Sequence, residues 1–239
     1  MPPPLFRIER HALMTFSIAA RCPATGMFGL AVASSSPAVA ARCSHVGVGA
    51  GAVASQNITD PRLGMSGLDH LAAGRSAEQT LELLKAQSGE LIAYRQLTII
   101  DRKGGTAAFS GEKTLGIHAK AHGPGAVAAG NMLANPDVPQ AMLASYATAS
   151  AKHFGERLIL AMRAGLEAGG EAGPIHSIGL KVTGNVPWPI ADLRVDWHDA
   201  DPVGELAKLW AIYAPQLDDY VIRALDPTKA PGFGVPGDK

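Results

Sequence analysis

Met14-Thr15-Phe16-Ser17-Ile18-Ala19-Ala20-Arg21 is the stretch on which the reading of this chain turns. A hydroxyl residue directly follows a methionine, and the run behind it has the look of a buried strand. A Thr at the head of a strand is ordinary by itself, because β-branched residues favour extended backbone. What sets Thr15 apart is its neighbour. Methionine ahead of a small residue is readily removed, so a chain translated from Met14 rather than Met1 would begin with Thr15. Such a residue holds a nucleophile in its hydroxyl and a base in its own α-amine, whose ordinary pKa is about 8.

Upstream, Pro2-Pro3-Pro4 and mixed charge without periodicity predict a flexible extension over residues 1–14, with no apolar run long enough for a signal peptide. A single domain is expected over 15–239. Downstream, the spacing predicts a hairpin of strands 16–20 and 27–33, joined by the Pro23-Ala24-Thr25-Gly26 turn, and a third strand over 46–54. Helices are expected over 61–73 and from the Ser76 cap onward. A meander of strands over 95–130 follows, then helices 138–149 and 154–168, the second stopped by Gly169-Gly170. Strands 176–182 and 190–197 and a helix capped by Asp201 over 202–213 complete the pattern. Blocks of strands alternating with blocks of helices predict an α+β fold in which two antiparallel sheets pack together with helices outside.

Lys and Arg total 21, and so do Asp and Glu. That balance removes the electrostatic drive toward nucleic acid or anionic membrane, and neither partner is expected. No apolar run of membrane-spanning length occurs. Abundant Ala, Val and 27 glycines, with aromatics at 5%, suggest layers packed through small side chains. Cys22 and Cys43 form no disulfide scaffold and no Cys-x-x-Cys pair, which suits a reduced, cytoplasmic setting.

Several familiar chemistries lack their residues. His118 and His122 are four apart, but Gly123-Pro124-Gly125 argues against the helix that would align them, so no metal and no cofactor are expected. Gly47-x-Gly49-x-Gly51 has no following Lys-Ser/Thr, and Gly64-Met65-Ser66-Gly67 lacks the spacing of a nucleophile elbow. Asp192, Arg194, Asp196 and His198 alternate along a predicted strand and so share one face. A solvated face with cross-strand pairing is the plain reading, and a polar site or subunit contact the sharper one.

Seven segments in order, Thr15–Arg21, Gly29–Ser34, Gly47–Gln56, Tyr94–Gln96, Gly130–Leu133, Asp192–Asp196 and Pro231–Asp238, resemble the bacterial domain-of-unknown-function family 1028. That family is similar to the N-terminal nucleophile (Ntn) hydrolases, four-layer αββα sandwiches that cleave amide bonds. The resemblance implies Thr15 as nucleophile, its free amine as base, and Asn131 in the oxyanion hole, with Gln56 as second choice. Proteasome-type relatives carry an Asp after the second strand and a Lys before the third. The matching regions here read Ser34-Ser35-Ser36 and Arg42-Cys43-Ser44-His45, so Ser34 and a cation from Arg42 or His45 are the expected tuning groups. Arg21, Arg42 and Arg95 suit a carboxylate, which points to an acidic or amino-acid-derived small-molecule amide. Pairing of two copies through the outer helices is also expected.

With residues 1–14 attached, Thr15 has no free amine. Either the start lies at Met14, or the chain cuts itself ahead of Thr15, or the fold is kept without the activity. A noncatalytic binding or assembly protein is therefore the alternative from another class. A hydrolase using Cys22 or Cys43 is a third reading.

Overall fold

A computed structural model describes residues 14–232. The expected extension up to residue 13, and the end of the Pro- and Gly-rich tail, lie outside the described residues. Strands β1 (Thr15–Arg21) and β2 (Phe28–Ser34) form the predicted hairpin, with Thr15 opposite Ser34. On the other edge of β1 lies β8 (Ala126–Asn131), with Thr15 opposite Asn131. Outside these are β7 (Ala119–Gly123) next to β8, and β9 (Ser177–Thr183) and β10 (Pro189–Val195) beyond β2. The resulting six-stranded antiparallel sheet runs β10-β9-β2-β1-β8-β7. A second sheet, in the order β3-β4-β5-β6, is built from β3 (Ser44–Gly47), β4 (Gly51–Asn57), β5 (Arg95–Asp101) and β6 (Thr106–Ser110).

Three apolar layers hold this together. Phe16, Ile18 and Ala20 lie in the layer between the larger sheet and helices α4 (Val138–Thr148), α5 (Phe154–Glu167) and α6 (Pro202–Tyr213), among Met142, Leu158 and Leu206. On the far side, Val53, Leu97 and Ile99 pack with Leu63 and Leu71 of α2 (Pro61–Ala72) and Leu84 of α3 (Ala77–Ser88). Between the sheets lie Ala19, Leu30, Val32, Ala52, Ala54, Ile100 and Val127. Each fully buried Leu, Val or Ile contributes about 1.5 to 3 kcal/mol, and the alanines let the sheets approach closely. The order of layers is thus helix, sheet, sheet, helix. Because strand side chains alternate, Ser17 and Ala19 face the second sheet while Phe16 and Ile18 face the helices.

The predicted caps form. Ser76 accepts from Gln79 N at 3.2 Å and Gln79 Oε1 accepts from Ser76 N at 3.1 Å, a reciprocal capping box. Asp201 accepts from Gly204 N at 2.8 Å ahead of Pro202. Three segments correct the sequence reading. Residues 46–54 are not one strand but the end of β3 and most of β4, joined by a tight turn in which Gly49 takes φ +66°. The alternation of glycine and apolar residues conceals that turn, since Gly serves both a close-packed strand and a reversal. Two further helices, α1 (Ala40–Cys43) and α7 (Leu217–Leu225), escaped notice, the first for its shortness.

Candidate active site

The pairing of β1 with both neighbours gathers Thr15, Ser34 and Asn131 at one end of the larger sheet. Thr15 is 4% exposed. Its hydroxyl donates to the carbonyl oxygen of Met14 at 2.7 Å and lies 3.5 Å from Ser34 Oγ. The Ser34 hydroxyl donates to that same carbonyl in a short bond. Ser36 Oγ is 2.7 Å from Ser34 Oγ, and because the Ser34 proton is spent on Met14, Ser36 is the donor between them. Arg42, in the last turn of α1, donates to Ser36 Oγ and to the carbonyls of Pro37 at 2.7 Å and Ala38 at 3.2 Å. A guanidinium is thereby joined to Thr15 through two serine hydroxyls, each polarising the next.

Beneath this cluster a chain of amides ties the two sheets together. Ser17 Oγ donates to Gln56 Oε1 at 2.7 Å, and Gln56 Nε2 donates to Gln96 Oε1 at 2.7 Å and to Ala129 O at 3.3 Å. Gln96 Nε2 reaches Gly130 O at 2.9 Å and Ser110 Oγ at 3.0 Å, while its Oε1 also accepts from Asn131 Nδ2 at 3.1 Å. The backbone carbonyls of Ala129 and Gly130 accept only donors, which fixes the orientation of both glutamine amides and, through Gln96, that of Asn131. Gln56 therefore has both its N–H groups and its carbonyl engaged inside the wall. Asn131 keeps one N–H beyond its bond to Gln96, and its Oδ1 is buried without a partner. Gln96, which sequence reasoning did not single out, is the joint of the network. Its signal was its place in the Tyr94-Arg95-Gln96 segment and nothing more.

Glu171 is the other residue that sequence reasoning missed. Gly169 and Gly170, with φ of +120° and +58°, stop α5 and turn the chain back to pair Glu171 with Leu133. The Glu171 side chain is 4% exposed. Its Oε2 accepts from Ser35 N at 3.1 Å, the Ser35 hydroxyl also bonds the carboxyl, and Oε1 is buried without a partner. Burial pushes its pKa up to about 9 against the opposing pull of the two Ser35 hydrogen bonds, so the carboxyl is protonated at neutral pH. Ser35 Oγ in turn accepts from Met14 N at 3.3 Å. A lone glutamate in a glycine-rich turn offers no periodicity by which to find it.

Other expected residues are placed elsewhere. His45 pairs in register with Val53, which belongs to the outer layer, and its ring sits under α2, where a Cβ added to Gly64 would come within 2.0 Å of Nδ1. Burial and the Lys181 charge lower its pKa. It faces away from Thr15 because one residue of a strand reverses a side chain. Arg21 closes the opposite end of β1, about 20 Å away at the usual strand rise, with its guanidinium 6.0 Å from the Phe28 ring. Arg95 donates to Ile58 O and lies 4.0 Å from Asp60. Cys22 and Cys43 are both buried, and burial pushes the Cys43 thiol up. Asp192 pairs across the strands with Lys181 at 3.1 Å, whereas Arg194 pairs along its own segment with Asp196 at 2.8 Å, just past the end of β10. Among the described residues, no group of three or more His, Cys, Asp or Glu is gathered as for a metal, and no helix is long and apolar enough to cross a membrane.

Two antiparallel sheets lie face to face between helix layers, a four-layer α+β sandwich with a buried threonine at the head of a central strand. Residues 15–206 match a family described as a family of unknown function, DUF1028, and the chain belongs to it. Protein SPO2555 from Silicibacter pomeroyi, a solved DUF1028 structure, is 32% identical over 86% of this chain and 94% of its own, with a TM-score of 0.78. Anbu, the ancestral beta-subunit from Yersinia bercovieri, aligns over 92% of this chain and all of its own at 13% identity and a TM-score of 0.40, too distant to carry an argument. No curated protein matches.

Proposed function

We propose that this protein is an Ntn-type amidohydrolase that cleaves a small amide with Thr15 as its N-terminal nucleophile. The observation that carries the reading is the contact between the Thr15 hydroxyl and the carbonyl of the preceding peptide, at 2.7 Å. A buried nucleophile already rests against an amide, and Ser34 donates to the same oxygen.

In the working form the Thr15 α-amine is free and accepts the hydroxyl proton as Oγ1 attacks the substrate carbonyl. The new C–O bond forms, the carbonyl electrons move onto oxygen, and the Ser34 hydroxyl with the spare N–H of Asn131 meets the developing charge. One such donor is worth roughly 3 kcal/mol or more. The C–N bond then breaks as the amine leaving group takes the proton, and water cleaves the ester to release the acid. Arg42, acting through Ser36 and Ser34, strengthens the Ser34 donor and disfavours a charged ammonium on Thr15, as an activated base requires. With Met14 joined on, the hydroxyl is covered and the amine is an amide nitrogen, so this form is an inactive precursor.

Intact mass of the active protein is expected to give a chain that begins at Thr15. Turnover of an amide panel should vanish in Thr15→Ala and persist in part in Thr15→Ser. Full-length protein whose turnover survives Thr15→Ala would remove the proposal.

A further inference from the structure

Met14 fills a slot, and its walls describe what else could enter. Its carbonyl oxygen takes the Thr15 and Ser34 hydroxyls. Its nitrogen donates to Ser35 Oγ at 3.3 Å, and behind Ser35 stands Glu171, 4% exposed, with one carboxylate oxygen unpartnered. Its side chain reaches Gly173, where an added Cβ would lie 2.9 Å from the methionine methyl carbon. Carbonyl, α-nitrogen and side chain of one aminoacyl unit thus each have a counterpart in the wall.

We propose that this slot is the acyl subsite of the enzyme, and that Ser35 and Glu171 select an acyl group with an unblocked α-ammonium. The substrates are then amides of free α-amino acids. The inference rests on the hydrolase reading above, because attack on an acyl group in this slot yields the same ester that Met14 would form on Thr15 Oγ1.

The chemistry of the wall favours a cation over a neutral amide N–H. A buried carboxyl with an idle oxygen is costly, and a neutral peptide nitrogen needs nothing stronger than the Ser35 hydroxyl. An ammonium carries three donors, one for Ser35 Oγ and one for the idle oxygen of Glu171, and its positive charge favours the ionised carboxylate that burial opposes. An N-acetylated substrate brings no charge and must also fit its acetyl group against a buried side chain. A small wall at Gly173 leaves room for an unbranched apolar side chain such as that of methionine.

The test uses the chain translated from Met14 and shown by intact mass to begin at residue 15, where the family match also begins. L-methionine p-nitroanilide is compared with its N-acetyl and desamino counterparts. The expected result is at least a tenfold advantage in kcat/KM for the free amine over both counterparts, lost in Glu171→Gln and reduced in Ser35→Ala. No advantage, or one that survives Glu171→Gln, overturns the proposal.

Calorimetric titration of the Thr15→Ala chain with L-methioninamide and with 4-(methylthio)butanamide reads the subsite without turnover. The amine-bearing ligand should bind at least tenfold tighter, and Glu171→Gln should abolish the difference. Equal binding, or none, overturns the subsite. Selective binding by Thr15→Ala, together with no anilide hydrolysis by the chain that keeps Thr15, would reject the hydrolase reading while upholding the ammonium site.

Discussion

The space between the two sheets has two unlike ends. Toward the Ala19 end of β1 it is dry, filled by Leu30, Val32, Ala52, Ile100 and Val127. Toward Thr15 it is crowded with Ser17, Ser34, Gln56, Gln96 and Asn131, every one of them fully buried. Apolar side chains of the same size would bind the sheets at least as well, since a buried hydrogen bond nets only about 1 kcal/mol while an orphaned group costs about 1 to 3 kcal/mol. The polar end is therefore poorly explained as cement. It is well explained as a rigid mount for Thr15, because each amide is oriented by a backbone carbonyl or by another amide and has little freedom to turn. On the proposed function, stability and chemistry occupy different ends of one layer, and substitutions should separate them.

The sharpest break compares Thr15→Ala with Leu30→Ala. Loss of the hydroxyl should reduce turnover by about a thousandfold or more and shift the unfolding free energy by no more than about 1 kcal/mol, since the methyl of Ala preserves most of the packing. Leu30 is fully buried in the dry end, and its truncation should cost about 2 to 5 kcal/mol with kcat of the folded fraction intact. Urea unfolding and steady-state rates on the two variants check both halves. Equal loss of activity in both would mean the two ends are not separable.

Gln96→Leu probes the mount itself. It takes one hydrogen bond each from Gln56 Nε2, Asn131 Nδ2 and Gly130 O, of which Gln56 Nε2 keeps its bond to Ala129 O, and the loss should cost roughly 2 kcal/mol or more. Turnover should fall further than unfolding of the protein explains, because Asn131 loses its anchor. A double-mutant cycle with Asn131→Ala should show coupling well above additivity. Near-additive effects would mean Gln96 does not hold Asn131.

The two ends were unequally legible in the sequence. Alternating apolar residues in Thr15–Arg21 and Gly29–Ala33, the caps at Ser76 and Asp201, and the Gly169-Gly170 stop write the layers into local pattern, so the αββα order could be read directly. Thr15, Ser34, Asn131 and Arg42 were reachable because each sits at a strand end or turn that a resemblance could align. Face is harder to read than position. His45 lies in the expected segment but turns toward α2, since its direction depends on the register of β3, and the glycines at 47, 49 and 51 blur where that strand ends and the next begins. Glu171 and Gln96 were invisible because their meaning comes from contacts 136 and 35 residues away, with Ser35 and Asn131. No local period marks such a contact.

Glu171 also belongs to the polar end, and its protonation supplies the mildest test of the comparison. Its carboxyl titrates at the model-compound value of 4.5 in the unfolded chain and at about 9 in the folded one. Between those values the folded state binds the extra proton, so stability from this group is fully present below about pH 4.5 and drains away as pH rises toward 9. The slope approaches about 1.4 kcal/mol per pH unit, or roughly 2 to 3 kcal/mol between pH 6 and 8. Glu171→Gln has no such proton to lose, and its unfolding free energy should stay flat over that window relative to the native chain. Chains with and without Met14 sharpen the point. Met14 N is bonded to Ser35, which bonds the carboxyl, so removing Met14 opens the slot to water and lowers the desolvation that raises the pKa. Urea titrations from pH 6 to 9 should show the steep slope in the leader-bearing chain and a shallower one in the chain that begins at Thr15. Identical slopes would mean that Met14 does not seal the carboxyl, and that the polar end is closed by the sheets alone.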